Sequence, residues 1–227
     1  MTYNIINSGS DGNCTIINDI IAIDLGVSYK KLAPYVKQLE IVFLTHEHGD
    51  HFNKRTIKRL AKERPMLRFG CCEWLLDKLL ELEIDRKRID VYEIGKKYNY
   101  EKFQIIPLKL YHDVPNCGYR VFIDNEKLIY CTDTYTLEGI KAIDYDYYLI
   151  EGNYENEEEL KSYAKDNTYF ERVKHTHLSR EYTTNVLLDN MGLKSVYEFM
   201  HQHKSKEKKN GSIKIGWENE NNEKKTI

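Results

Sequence analysis

Residues 43–53 read FLTHEHGDHFN, with three histidines and one aspartate inside the six positions from His46 to His51. The run before them, EIVFLTH, is apolar, β-branched, aromatic and of strand length, as a buried strand requires. The pattern H-x-H-x-D-H therefore falls on the loop that a buried strand delivers. Neutral imidazole and carboxylate are preferred ligands of zinc and are tolerated by manganese or iron. If the loop turns tightly, His46 and His48 point to one cation while Asp50 and His51 reach a second. Composition alone would produce this pattern in on the order of one in ten thousand chains of this size, so incidental polar residues are a poor account of it.

The remaining histidines strengthen the metal reading. All eight fall at four places: the loop just quoted, His112, the pair His175 and His177, and the pair His201 and His203. Each place follows or lies near an expected strand end, or opens a helix, where a rigid sheet presents functional side chains.

The chain has 227 residues, enough for one domain with a full core, and 41% hydrophobic with 31% charged residues is a globular composition. We expect a domain over residues 1–205 and a polar, mobile tail over 206–227, in which SIKIGW alone could dock as a strand. A net charge of −2 argues against a general nucleic-acid coat protein but not against a nuclease, because bound cations add positive charge. The N-terminus lacks the pattern of an export signal, and no apolar run has the length needed to span a bilayer. Five cysteines without a CxxC pair suit a reducing compartment. The expected location is cytoplasmic, with no membrane and no obligate protein partner.

Strands are expected at YNII, CTIINDIIAIDLG and EIVFLTH, and the chain turns β-rich from VYEIG onward. YNYEKFQIIPLKLYH, CGYRVFIDNEKLIYCTD, YDYYLIEGN and KSVYEFMHQH supply further strands. Helices are expected at SYKKLAPYVKQL (short, and interrupted or started late at Pro34), NKRTIKRLAKER, CEWLLDKLLELEI, NEEELKSYAKD and REYTTNVLLDNMG, the last capped at Gly192. No internal repeat is apparent.

THEHGDH resembles the signature motif of the metallo-β-lactamase superfamily. NSGSDGNCTIINDIIAIDLG is similar to its N-terminal hairpin region, ending at Asp24. LYHDVPNCGYRVFI is similar to its isolated histidine before a Gly-Tyr strand, and YCTDT to its metal-bridging aspartate. The resemblance covers about residues 5 to 203 and implies an α/β (α+β) chain folded as a four-layer αβ/βα sandwich, with metals at one edge between the sheets. By the same resemblance, His46 and His48 hold a first metal that His112 completes, a late histidine being counted toward that metal too. Asp50 and His51 hold a second, and Asp133 bridges them. His201 fits the late histidine better than His203, which instead fits a histidine-x-serine ending. Asp24 is expected to orient ligand imidazoles through their other nitrogen.

HTHLSREYTT carries His177-Leu178-Ser179, close to the histidine-leucine-serine of the small YycJ-like, nuclease-type branch. There the histidine contacts phosphate or assists the leaving group. A helix-start histidine followed by a Ser179 N-cap is the plainer alternative. The branch also tends to carry an Asn-His pair where this chain has Asn153-Tyr154. Two divalent cations, zinc first and manganese or iron next, would share a water, lower its pKa and aim it at an electrophile. Asp50 would orient that nucleophile, and His177 would protonate the departing oxygen.

The expected activity is that of a metal-dependent phosphodiesterase or nuclease acting on nucleic acid. The basic helix after the metal loop, with Lys54, Arg55, Lys58, Arg59 and Arg64, could hold a phosphate backbone or be a solvated face. One alternative is hydrolysis of a small ester, lactone or thioester in a pocket walled by Phe52, Tyr111 and Tyr135. The other is a non-catalytic scaffold, for which an intact two-metal ligand set has no use.

Overall fold

In the computed structural model, which describes residues 1–203, alternation along the strands sorts side chains into three apolar layers. The first sheet is built from β1 (Tyr3–Asn7), β2 (Cys14–Ile17), β3 (Ile21–Ile23), β4 (Ile41–Phe43), β5 (Arg68–Cys72) and β6 (Ile89–Tyr92), in that spatial order. Its first three strands run antiparallel, and β3 to β6 are parallel. The parallel crossovers carry α1 (Tyr29–Leu32), α2 (Lys54–Glu63) and α3 (Leu76–Glu81). In β4, Val42 packs with Ile57 and Leu60 of α2 in an outer layer, whereas Ile41 and Phe43 enter the layer between the sheets.

The second sheet contains β7 (Tyr98–Asn99), β8 (Gln104–Tyr111), β9 (Pro115–Ile123), β10 (Glu126–Cys131), β11 (Tyr147–Glu151) and β12 (Val196–Met200). Its order is β12-β11-β10-β9-β8-β7, antiparallel from β7 to β10 and parallel from β10 to β12. Cys117, Tyr119 and Val121 of β9 face the first sheet. Ile129, Tyr148 and Ile150 face outward and pack with Leu187. Between β11 and β12 lie α4 (Glu157–Tyr163), α5 (Asn167–Lys174) and α6 (Arg180–Asn190). Two facing sheets with helices outside them make the expected four-layer α/β sandwich. Among the described residues, no helix is long and apolar enough to cross a membrane.

The short helix expected within residues 28–39, interrupted or started late at Pro34, is helical at Tyr29–Leu32 and dissolves into turns around that proline. Other local details depart from expectation for identifiable reasons. Helix α6 stops because Met191 turns extended (φ −71°, ψ 137°), not because Gly192 caps it; the Gly192 N–H donates to Ser195 Oγ at 2.9 Å. Helix α5, not expected, is begun by Asp166, whose side chain accepts from Tyr169 N. The tail expected over 206–227, with SIKIGW, lies outside the described residues.

The loop after β4 is stitched to the first hairpin by backbone bonds. Asn13 N donates to Asp50 O at 2.6 Å and Leu25 N to His51 O at 2.9 Å. Tyr119 Oη, from the opposite sheet, donates to Leu44 O at 2.7 Å, so both sheets grip this loop. Gly26 sits where a Cβ would lie 1.6 Å from Asp50 O, whereas one on Gly49 would meet nothing within 4 Å. Gly26→Ala should therefore lower stability by at least about 1–3 kcal/mol in urea denaturation and weaken metal binding. Gly49→Ala should stay within ~0.5 kcal/mol of the parent, and equal effects of the two would contradict the close-approach account.

Candidate metal centre

The site is assembled at the carboxyl ends of β3, β4, β10, β11 and β12, with the end of β8 beside them. Apolar strands deliver acids there: Asp24 follows β3, Asp133 lies two residues beyond β10, and Glu151 ends β11. All three are at most 1% exposed. Asp24 (φ 60°), Asp133 (φ 56°) and His201 (φ 49°) occupy left-handed backbone, an uncommon conformation for such residues that the packed surroundings hold in place.

Hydrogen bonds decide which nitrogen of each histidine is free. Asp24 Oδ1 accepts from Thr45 N at 2.9 Å, and Asp24 Oδ2 pairs with His51 Nδ1 at 2.7 Å. The Thr45 hydroxyl lies 3.0 Å from both Asp24 oxygens and 3.0 Å from His46 Nδ1. A chain His46 Nδ1–H to Thr45 Oγ1–H to Asp24 satisfies all of them and leaves His46 Nε2 bare. With its Nδ1–H given to Asp24, His51 likewise turns Nε2 inward, 2.9 Å from Asp133 Oδ2 and 3.7 Å from Asp50 Oδ2. His112 Nδ1 donates to Thr176 O at 2.9 Å, so its Nε2 faces His48 Nδ1 at 3.3 Å. The other nitrogen of His48 lies 3.3 Å from Asp113 Oδ1.

These orientations gather two sets of side chains, each with ligand atoms within 4.8 Å of one another. One is His46, His48, His112 and Asp133; the other is Asp50, His51, Asp133 and His201. Asp133 belongs to both. His201 thus joins Asp50 and His51, not the first set with which the sequence reading counted a late histidine. His203 is not brought in; its ring stacks on Tyr163 at 4.6 Å. His175 is exposed and pairs with Glu171.

A third grouping joins Asp133, Glu151, His177 and His201. Here His177 Nδ1 donates to Glu151 Oε1 at 2.6 Å, and the same oxygen lies 3.2 Å from His201 Nδ1. Ser179 caps α6 by accepting from Tyr182 N at 3.1 Å, so the cap and the site histidine coexist. Glu151 was missed in the sequence. Its signal was available: an acid directly after the apolar run YYLI, like Asp24 after IAI. Asn13 was missed too; it is fully buried, with Nδ2 2.8 Å from His51 Nε2.

The donor set fits divalent cations. Imidazoles and carboxylates converge, and His46 Nε2, Asp133 Oδ1 and His201 Nε2 are buried without hydrogen-bond partners. Burial, aided by the neighbouring His51 charge, pushes the pKa of His46 down to about 4. Burial also opposes charge on His51, but Asp133 and Asp24 overcome it and raise His51 to about 10. His201 is raised well above the usual range by Asp133, Asp50 and Glu151 against the same burial. Burial likewise resists the charge on Asp133, which His201 and His51 nonetheless hold well below the usual carboxylate range. Without metal, protons on His51 and His201 stand where cations would balance the acids.

The basic helix is largely engaged elsewhere. Lys58 pairs with Glu83 at 2.9 Å and Arg59 with Glu63 at 2.8 Å. Arg64 donates to the Val36 and Leu39 carbonyls. Lys54 and Arg55, in the first turn after the metal loop, have no ion-pair partner among the described residues.

A family profile described as "Beta-lactamase superfamily domain" matches residues 23–201. No curated protein matches the sequence significantly. Among solved structures, the metallo-beta-lactamase fold protein YhfI from Bacillus subtilis is similar at 15% identity and a TM-score of 0.69, covering 88% of this chain and 86% of that one. The short form of human tRNase Z matches at 14% identity and 0.69, covering 90% and 93%. A diphosphatase of the PhnP family matches at 14% and 0.64, covering 88% and 85%. At such identities these neighbours establish the shared fold.

The raised pKa of His51 sets a pH dependence. Its protonated state contributes stability fully below the unfolded value of about 6.5, and the contribution is lost as pH rises through about 10. Chelated protein should therefore lose thermal stability between pH 6.5 and 10. Zinc-loaded protein, in which ligation keeps His51 unprotonated, should show a flatter profile over that window. Parallel profiles for the two forms would remove His51 from the ligand set.

Proposed function

The chain belongs to the beta-lactamase superfamily, and we propose that it is a metal-dependent phosphodiesterase acting on nucleic acid. In this reading His46, His48 and His112 hold one divalent ion, Asp50, His51 and His201 hold a second, and Asp133 serves both. Zinc suits the donor chemistry best. When bound, the ions supply a water of lowered pKa and positive charge against the phosphoryl oxygens.

The chain's own residues do the rest. Asp50 is 22% exposed on its side chain, the most open carboxylate of the ligand set, with Oδ2 3.4 Å from His201 Nε2. Burial works against its charge, but His201 and His51 hold its pKa below the usual carboxylate value. It therefore stays an acceptor that orients the attacking water. His177 supports the choice of reaction more than any other residue. Its Nδ1–H is held by the buried Glu151, its ring lies 5.2 Å from that of His112 and 5.1 Å from that of His201, and 12% of its side chain is exposed. Burial resists the charge of Glu151, yet His177 and His201 keep its pKa low, so an ionised carboxylate accepts the His177 Nδ1–H and fixes the ring. A ring so held is the group that delivers a proton to an oxygen leaving from the metal-facing side. A phosphodiester that expels a ribose or deoxyribose alkoxide needs that proton.

Nucleic acid as the substrate draws support from the fold shared with tRNase Z and from Lys54 and Arg55 directly after the metal loop, which have no ion-pair partner among the described residues. The His177-Leu178-Ser179 motif is consistent with the small nuclease-type branch. Against a small-ester pocket, Phe52 is only 2% exposed and walls nothing.

His177→Ala should slow oligonucleotide cleavage by about 10²–10⁴-fold, yet slow bis(p-nitrophenyl) phosphate less than about tenfold, because p-nitrophenolate departs without a proton. Asp50→Ala should abolish both and reduce the metal content measured by elemental analysis. Two metals per chain without turnover of any phosphodiester would sink the proposal, as would failure to bind stoichiometric metal.

A further inference from the structure

Most of the 18 tyrosines are wholly or partly buried; Tyr119, Tyr130 and Tyr148 are at most 1% exposed. Tyr111 and Tyr135 break this pattern as a pair. They are 38% and 45% exposed, with ring centroids 5.9 Å apart and planes inclined at 53°. Tyr182 is also 38% exposed, but its hydroxyl accepts from Leu137 N, whereas neither phenol of the pair is bonded to a described residue.

The placement of the pair is fixed by the site. Tyr111 ends β8 immediately before His112, and Tyr135 lies two residues after Asp133. Tyr135 N donates to Tyr111 O at 3.0 Å, and Tyr111 N donates to Thr134 Oγ1 at 3.0 Å. Thr134 in turn donates its N–H to the buried Glu151 carboxylate at 2.9 Å. The backbone that carries both rings is thus tied to the cluster by bonds that lead back to Glu151. Lys109 Nζ lies 5.0 Å from the Tyr111 ring centroid, adding a cation to the same face.

Exposed aromatic faces on an anchored backbone with a cation beside them, next to a proposed phosphodiester-cleaving centre, match the two parts of a nucleotide: a flat base and a charged backbone. In a duplex both faces of an internal base are already stacked, so it cannot lie on a tyrosine without being extruded. We propose that Tyr111 and Tyr135, with Lys109, form a nucleobase-stacking platform beside the metal centre, which makes single-stranded nucleic acid the substrate class. The inference rests on the phosphodiesterase reading for its substrate and on the exposed ring pair for its strand preference.

The test uses the full chain and a fluorescent oligothymidylate. Binding is measured by anisotropy in chelator, and cleavage is measured with zinc restored, for wild type, Tyr111→Ala, Tyr135→Ala and the two phenylalanine variants. Each alanine variant should bind the single strand about tenfold more weakly and show the loss in KM, with melting temperature and metal content kept. Phenylalanine should restore binding, because the ring and not the hydroxyl is used. An oligonucleotide with abasic positions should bind wild type as weakly as the intact strand binds the alanine variants, and should lose nothing further in those variants. If wild type cleaves single strands but the alanine variants bind and cleave them equally well, the platform is wrong and the phosphodiesterase reading survives. If ring-dependent binding is present but no phosphodiester is cleaved, the platform stands and the proposed chemistry falls. No single-strand binding by wild type overturns the platform outright.

Discussion

The carboxylate of Asp24 is the constraint on which the site depends. It is fully buried, and a bare carboxylate in that position would carry a desolvation cost of several kcal/mol. It is tolerated because Thr45 N, the Thr45 hydroxyl and His51 Nδ1 all converge on it. Those bonds tie the end of β3 to the loop after β4, set the tautomer of His51 directly and set that of His46 through Thr45. The arrangement recurs in the second sheet, where Glu151 at the end of β11 holds His177 and lies beside His201. Each sheet thus presents a buried acid at its carboxyl edge that orients imidazoles. The cluster lies in the crevice where parallel strands from both sheets end.

Buried acids of this kind need positive charge from some source. In the metal-free protein, protons on His51 and His201 supply it, which is why both are held above the ordinary histidine range, while burial and the neighbouring His51 charge push His46 below it although Asp133 Oδ2 lies 3.3 Å from its Nε2. Metal entry would exchange those protons for cations with little change in local charge balance. The three apolar layers are independent of that exchange: the Phe43, Tyr119 and Tyr130 layer between the sheets and the layers under the helices are complete without it. The fold therefore holds the ligands ready, in contrast to small zinc domains whose metal replaces a core.

Much of this was legible because strand alternation and ligand spacing are local properties. EIVFLTH announces a buried strand, and H-x-H-x-D-H has few other uses. Asp24 was readable for the same reason, as an acid ending an apolar strand. Glu151 carries that signal equally well, as the acid that ends YYLI two positions before Asn153. What local pattern could not give was partnership across the fold. Whether His201 or His203 enters the cluster depends on where β12 ends against β11, and the grouping of His201 with Asp50 depends on the register between two sheets. Helix ends were misread where a long-range contact overruled propensity: Gly192 packs against Asp144 instead of capping α6.

The fate of the basic helix bears on how a polyanion could be recognised at all. Counted in the sequence, Lys54, Arg55, Lys58, Arg59 and Arg64 suggest an extended electrostatic track. In the structure, Lys58 and Arg59 are paired with glutamates, and Arg64 is spent on the carbonyls of the α1–β4 connection, where it secures the segment that leads into the metal-bearing strand. A formal charge of −2 over the whole chain supplies no net positive charge of its own to attract a polyanion. Attraction for a polyanion would then be short-ranged and centred on the cluster, where bound cations would be the largest local charges, with Lys54 and Arg55 following the ligand loop in the chain and Lys109 beside Tyr111. For a nucleic-acid substrate as proposed, discrimination would then fall to contacts near the reacting phosphate, and the exposed ring pair Tyr111 and Tyr135, flanking His112 and Asp133 in the sequence, is the feature available for it.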